Sequence, residues 1–353
     1  MGADLLKQYK SRVDRELERF FNQKLKKAEK IDPSSKEMVR LLKEYNLRGG
    51  KRIRAAMVYY GYRCFKNSKL NEILKATMSI ELVQSYLLIH DDIIDNSDIR
   101  RGKPALHKSY EKIYKNYPKN INPSHFGASM AIIAGDILAA FANEILAKLK
   151  LKEKYKTKAI GKLNWVNHTV IYGQALDMLS NFKPITASDV SLIHRMKTAS
   201  YTVEGPLHIG ALLAGANNKQ LKILSNYGIP LGKAFQIQDD ILGLFGDEKK
   251  TGKPADSDLK EGKQTLLILK ALEKADPKQK QIIKKALGNP KLTKSQLNQV
   301  RNIVKQTGSL GFCHDKAKEM IIQAKSAIQK SRFKKPGKEF LINIAGYMLE
   351  REY

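Results

Sequence analysis

The chain has 353 residues, 42% of them hydrophobic and 28% charged, and its 64 basic and 35 acidic side chains leave a net charge of +29. This balance excludes a disordered or collagen-like polymer and is enough for one large core. Two cysteines, Cys64 and Cys313, cannot build a disulfide framework or a cysteine-rich zinc site. The stretch Met1 to Arg12 is polar and lacks the apolar centre of a secretory signal.

In chain order, the first strongly periodic segment is Leu74 to Asp95. There Ile80, Leu82, Val83, Leu87 and Ile94 recur at helical steps, which predicts a mostly buried helix. Similar patterns predict helices over Ala128–Leu149, Thr157–Asn181, Ser188–Leu213, Lys219–Phe245, Gly262–Lys274, Lys294–Gln306 and Asp315–Gln329. Breaks fall at Asp32-Pro33-Ser34, Gly49-Gly50, Asn96 to His107, Tyr117 to Phe126, Gly246 to Gly262 and Gly288-Asn289-Pro290. Alternating patterns are scarce, so almost no sheet is expected. Several helices are apolar on more than one face, which requires a bundle around them. The expected fold is all-α, a single domain over residues 1–353. The oily stretch Ala128–Leu149 is interrupted by Asp136 and Glu144, so no transmembrane segment is expected and the protein is predicted to be cytoplasmic.

The sharpest chemical signal is Asp91-Asp92-Ile93-Ile94-Asp95, at the end of an oily helix. Asp91 and Asp95 share a helical face, where like charges repel and the helix C-terminus disfavours anions. Carboxylates without histidine or cysteine neighbours in such a place suit a hard cation such as Mg²⁺, which shares its shell with substrate phosphates. A second cluster, Gln236-Ile237-Gln238-Asp239-Asp240, follows another apolar helix. Two such clusters facing each other would build a polymetal site able to hold a diphosphate. Cations stand nearby in sequence. Gly49-Gly50-Lys51-Arg52-Ile53-Arg54 leads into a helix with Lys51 and Arg54 on one face, and Arg100-Arg101-Gly102 follows the first cluster. Lys197-Thr198 interrupts a helix, and Lys253 and Lys263 flank the loop after the second cluster. Arginine forks grip phosphate oxygens while lysine adds point charge. The GxxxxGK[ST] spacing of a nucleotide-binding loop is absent.

These motifs, with Gly173-Gln174-Ala175-Leu176-Asp177 and Phe235-Gln236-Ile237-Gln238-Asp239-Asp240, resemble the trans-isoprenyl diphosphate synthases, the relatives of farnesyl and geranylgeranyl diphosphate synthase. The resemblance runs in order from about Gly49 to Lys263. It implies an all-α bundle around a deep central cavity, usually a homodimer, that uses Mg²⁺, three ions with bound diphosphate, to join isopentenyl diphosphate to an allylic diphosphate. Carried over position by position, Asp91, Asp95 and Asp239 would bind Mg²⁺, and Asp240 would assist through water. Arg100, Lys197, Lys253 and Lys263 would hold the allylic diphosphate. Lys51, Arg54, Gln84 and Arg101 would hold isopentenyl diphosphate. Thr198, Gln174, Asp177 and Gln236 would polarise or line the reacting region. The family gives the final proton to the released diphosphate, so no histidine base is required, and His90 reads as a packed helix residue as readily as a reactive one.

Two departures from the family pattern stand out: Gly243 replaces the last aspartate of the second cluster, and Ala55 replaces a proline after the GGKRIR run. Product length is expected to be set by Tyr86 and Leu87, one turn before Asp91, about 6–8 Å along the helix axis. An aromatic at the fifth position only resembles archaeal geranylgeranyl-forming enzymes and predicts a twenty-carbon product, with a farnesyl or bifunctional synthase as the alternative. A class I terpene cyclase, a head-to-head synthase and a non-catalytic partner subunit are the competing helical readings. The excess lysine also raises a basic nucleic-acid-binding protein or contact with anionic surfaces, but both aspartate clusters would repel a phosphate backbone, and no specific nucleic-acid partner is expected.

Overall fold

In the computed structural model, which describes residues 2–114, 122–246 and 256–349, the chain is all-α apart from one two-residue hairpin. The helices run α1 (Gly2–Ala28), α2 (Pro33–Leu47), α3 (Ile53–Arg63), α4 (Leu70–Ile94), α5 (Leu106–Tyr114), α6 (Pro123–Ala147) and α7 (Glu153–Leu179). They continue as α8 (Ala187–Ile193), a π-helix (His194–Glu204), α9 (Gly205–Leu213), α10 (Asn218–Phe245), α11 (Ser257–Lys260), α12 (Leu266–Lys274), α13 (Pro277–Ala286), α14 (Lys294–Gln306), α15 (Ser309–Gln329) and α16 (Lys335–Leu349). Strands β1 (Ile99–Arg100) and β2 (Lys103–Pro104) pair antiparallel, with Ile99 opposite Pro104.

Local chemistry sets many of these boundaries. Asp32 accepts from the Ser34 and Ser35 amides while Pro33 opens α2, and Asn122 with Pro123 does the same for α6. Reciprocal capping boxes start α8 (Thr186, Asp189), α10 (Asn217, Gln220), α13 (Asp276, Gln279) and α14 (Thr293, Gln296). Each satisfies amides that the first helical turn leaves orphaned.

The chain divides into two compact units. The first is built from Ala3–Leu163 and Ile209–Gly215. In it α4 packs against α2, α3, α5 and α6, and Ile73, Ile80, Leu82, Val83 and Ile89 are fully buried. The second comprises Asn164–His208 and Ala216–Tyr353. Its central helix, α10, packs against the π-helix, α12, α15 and α16, and Tyr227 is fully buried with its hydroxyl donating to the Leu341 carbonyl at 2.7 Å.

Helix α6 departs from expectation. By length and composition it could cross a membrane, although 39% of its most apolar window is buried. It packs on α4 and α5, and Asp136 is exposed in its middle. The predicted continuous helix over Ser188–Leu213 is instead α8, the π-helix and α9 in succession.

Candidate active site

Asp91, Asp92 and Asp95 close α4, with Asp95 as its C-cap. The three carboxylates have different fates. Asp92 is completely buried and receives Arg100 through Nε at 2.7 Å and through a second guanidinium nitrogen. Tyr45 on α2 also donates to Asp92, at 3.3 Å. Burial holds the Asp92 carboxyl above its ordinary value in spite of Arg100. Against burial, which alone would lower it, Asp92 holds the Arg100 guanidinium above its usual range. Asp91 is about a quarter exposed and lies 3.8 Å from the same guanidinium. The hairpin that follows α4 thus folds Arg100 back onto the helix end, between both aspartates.

Arg101, on the hairpin turn with a left-handed φ of 55°, donates to the Gly49 carbonyl. Its guanidinium fills the space over Gly50, where an added Cβ would meet it at 3.1 Å. Gly49 and Gly50 take φ of 99° and 119°, which only glycine adopts cheaply. Lys51 precedes the helix rather than sharing a helical face with Arg54, since α3 starts at Ile53. Lys51 is exposed, Arg54 and Gln84 half-buried, and Arg52 between them is buried. Burial and the neighbouring Arg52 hold the Arg101 guanidinium below its ordinary value.

In the second unit the π-helix carries Lys197 and Thr198. Its wider turn is accommodated by glycines: a Cβ at Gly173 on α7 would sit 2.5 Å from the Lys197 amide nitrogen, and one at Gly232 on α10 would overlap Ala199. Such π segments are rare and concentrate at functional sites. Lys197 Nζ lies 2.5 Å from Asp177. Thr198 donates to Gln236 Oε1 at 2.6 Å, and Gln236 Nε2 donates to Asp240 at 2.8 Å. Asp240 is buried and also faces His194 Nε2 at 3.2 Å. Gln236 therefore serves Asp240, and Asp239 stands half-buried beside it. Gln174 is half-buried on α7, four residues beyond Val170.

Gly243 has a physical explanation. A Cβ there would overlap Asp258 Oδ2, so the carboxylate of Asp258 occupies the space next to the second cluster. Burial, and then Asp240, hold the Asp258 carboxyl above its ordinary value. Lys263 lies 3.3 Å from Asp258 and 2.6 Å from Glu261; against burial, these two acids hold its ammonium above the usual range. Lys253 lies outside the described residues.

His90 is a packed residue. Its ring meets Tyr86 edge-on at 5.4 Å, accepts the close approach of Gly135 on α6, and places Nε2 3.3 Å from the Ile132 carbonyl. Tyr86 is 6% exposed and Leu87 half-buried. The residues that sequence reading passed over are Tyr45, Arg52, Glu81, Asp92, His194 and Asp258. Only Asp92 and Arg52 carried a signal, as inner members of the aspartate run and of the GGKRIR run. Among the described residues no group of three or more histidine, cysteine, aspartate or glutamate side chains is preassembled as a metal site. Asp91 and Asp95 in the first unit, and Asp239 in the second, each offer only oxygen donors, the kind that suits Mg²⁺, which binds through one or two carboxylates plus substrate phosphates rather than in an all-protein cage.

Residues 36–304 match the family model described as polyprenyl synthetase. A short chain isoprenyl diphosphate synthase of Methanocaldococcus jannaschii is 35% identical over 83% of this chain and 81% of its own. A geranylgeranyl diphosphate synthase of Sulfolobus acidocaldarius is 34% identical over 82% of this chain and 84% of its own. Among solved structures, a geranylgeranyl pyrophosphate synthase from Corynebacterium glutamicum, complexed with isoprenyl diphosphate and magnesium, superposes with a TM-score of 0.91. It is 31% identical and covers 98% of this chain and 99% of that one.

Proposed function

The chain belongs to the polyprenyl synthetase family and is a prenyltransferase of isoprenoid biosynthesis, and from that premise we propose that it joins isopentenyl diphosphate head to tail to allylic diphosphates and stops at all-trans geranylgeranyl diphosphate. The observation that carries this reading is the division within each aspartate pair. Asp92 and Asp240 are buried and tied to Arg100 and Gln236, while Asp91 and Asp239 stand half-buried beside them.

On the family resemblance Asp91, Asp95 and Asp239 would bind Mg²⁺, three ions in all, with Asp240 assisting through water. The ions would supply charge stabilisation on the departing diphosphate. Arg100, Lys197 and Lys263 add fixed positive charge around the same oxygens, and preorganised cations lower the barrier most where charge develops. Lys253 is assigned there on the resemblance alone. Lys51, Arg54, Gln84 and Arg101 hold isopentenyl diphosphate so that its double bond meets the allylic carbon. Thr198 and Gln236, already locked to each other, line that meeting point with Gln174 and Asp177. Asp258 takes the place beside the second cluster that Gly243 leaves open.

The twenty-carbon limit rests on Tyr86. Its ring is wedged by His90, itself fixed against α6, so it is a rigid stop one turn below Asp91. The two units are read as one catalytic domain that unfolds together. Homodimerisation and a cytoplasmic location complete the reading. Exposed Ile132 and Ile133 on α6, and separately Ile171 and Tyr172 on α7, are the apolar patches that a second copy would cover.

Labelled isopentenyl diphosphate with each five-, ten- and fifteen-carbon allylic starter tests the proposal. The expected result is a twenty-carbon diphosphate, abolished by chelating Mg²⁺, and longer products from Tyr86→Ala. Hydrocarbons formed without isopentenyl diphosphate would indicate a cyclase instead, and a fifteen-carbon end product would refute the chain-length assignment.

A further inference from the structure

We propose that Arg52 and Glu81 are positioning residues for the homoallylic diphosphate site: a buried ion pair that sets the loop Gly49–Arg52 so that Lys51, Arg54 and Arg101 converge on one anion. The inference rests on the reading of Lys51, Arg54, Gln84 and Arg101 as the cations and amide that hold isopentenyl diphosphate.

Arg52 sits in the middle of the GGKRIR run, yet its side chain is only 1% exposed. Its guanidinium is directed into the first unit. Its fork makes three hydrogen bonds, to Asp14 on α1 at 2.8 Å, to Glu81 on α4 at 2.9 Å and to the Asn46 carbonyl at the end of α2 at 2.7 Å. The other oxygen of Glu81 accepts the Ala55 amide in the first turn of α3 at 3.1 Å. Arg52 and its two carboxylate partners therefore join four helices around the loop. The Asn46 side chain is held as well, by the Ser85 hydroxyl at 2.7 Å, one residue beyond Gln84.

The backbone explains why an ion pair is needed there. Arg52 is the N-cap of α3 in a left-handed conformation, φ 53°, after two glycines that also have positive φ. A non-glycine residue keeps that conformation only when its surroundings over-determine it. Three polar anchors on a buried guanidinium do so. Once Arg52 is turned inward, the adjoining positions carry Lys51 outward, and Glu81 lies on α4 three residues, about one turn, before Gln84. Electrostatics points the same way. Arg52 lowers the proton affinity of Arg101 and Glu81 raises it, so Glu81 counterbalances cations that would otherwise repel one another. Neither Arg52 nor Glu81 needs to touch substrate to act.

The test is steady-state kinetics of Arg52→Lys, Glu81→Gln and the milder Asp14→Asn, with folding checked by circular dichroism and thermal melting. Lysine keeps the charge of Arg52 and loses its fork. Arg52→Lys and Glu81→Gln should raise KM for isopentenyl diphosphate at least tenfold, leaving KM for the allylic diphosphate within about twofold of the parent. Glu81→Asp should recover part of the loss. Asp14→Asn, at the half-exposed end of the fork, should fold normally and raise the same KM severalfold, which keeps the proposal testable if the buried variants fail to fold. Equal changes in both KM values, or a fall in kcat alone, would overturn it, since that is the signature of a merely structural pair. Lys51→Ala and Arg54→Ala separate the two levels. If they leave KM for isopentenyl diphosphate unchanged, the substrate assignment itself fails and the positioning role with it; if they raise it while Arg52→Lys and Asp14→Asn do not, only the positioning role fails.

Discussion

The two aspartate clusters solve one electrostatic problem with different partners. At the end of α4 the inward carboxylate, Asp92, is neutralised by a full charge, Arg100, delivered by a hairpin only eight residues downstream. Within α10 the inward carboxylate, Asp240, is met by an amide from the same helix, Gln236, and by an imidazole from the π-helix, His194. The first cluster is therefore a local device, built by α4 and the turn that follows it. The second depends more on packing: Gln236 and Asp240 pair four residues apart on α10, but Thr198 and His194 reach them where glycines on α7 and α10 admit the wide π turn. Adjacent aspartates differ in burial in either place: one is buried and partnered, its neighbour half-buried.

The comparison breaks first if the half-buried members do not matter. Asp91→Asn and Asp239→Asn should each lower kcat by roughly 10²–10³-fold, the scale seen when one preorganised electrostatic group is removed, with melting temperatures close to the parent. Mg²⁺ titrations should show the midpoint for activity moving to higher concentration in both. Loss of folding instead of turnover in either variant would mean that the inward and outward assignments are reversed.

A smaller but structural effect belongs to the inward members. Asp92→Asn leaves the buried Arg100 guanidinium only the more distant Asp91, at 3.8 Å, as counter-ion, and breaking a buried pair costs up to about 3–5 kcal/mol. Asp240→Asn keeps a hydrogen-bonding group opposite Gln236 and faces no permanent cation, so it should cost distinctly less. Urea unfolding of both variants measures this. Equal losses would show that the distinction between an ionic and an amide partner carries no energetic weight.

How far the amino-acid pattern anticipates this arrangement follows from the same physics. Helices with an apolar stripe interrupted by few polar residues, α4, α6, α10 and α14, are readable within a few residues of their ends. Helix α1 carried the signal in Val13, Leu17 and Phe21, spaced four apart and fully buried, but its many charges obscured it. Helix α3 is buried nearly all round, tyrosines included, so it has no polar face to mark its period. The pattern over Ser188–Leu213 reads as one ordinary helix and does not distinguish the π segment; Gly173, Gly228 and Gly232 on its neighbours mark the close approaches that go with it. The motif cations and carboxylates were readable one by one. Which of two adjacent aspartates turns inward was not, because that depends on the side to which the hairpin returns Arg100 and the π-helix brings His194.

Gly243 sharpens the comparison further, because the second cluster recruits its extra carboxylate from α11 instead of from α10. Gly243→Ala would push into Asp258, and overpacking of this kind costs typically about 1–3 kcal/mol, less where a side chain can swing aside. We expect the lower end, with reduced activity that exceeds what the stability loss explains. Activity equal to the parent would remove Asp258 from the site.

The smallest effect is a pH dependence. Burial raises the Asp258 carboxyl above its ordinary value, Asp240 adds to it, and Lys263 opposes it. Between the ordinary aspartate value, about 3.9, and the raised one, the folded protein holds a proton that the unfolded chain has already lost. Stability therefore falls as pH rises through that window, because more protons are bound in the native state than in the unfolded one. Below the window both states are protonated and the penalty is absent; above it the penalty is complete and constant. Asp258→Asn removes the titration, so the urea midpoint of the variant, followed from pH 3.5 to pH 7 in a metal-free buffer, should decline less than that of the parent across this stretch. Parallel curves would mean that Asp258 titrates alike in both states, and that Lys263 has offset its burial completely.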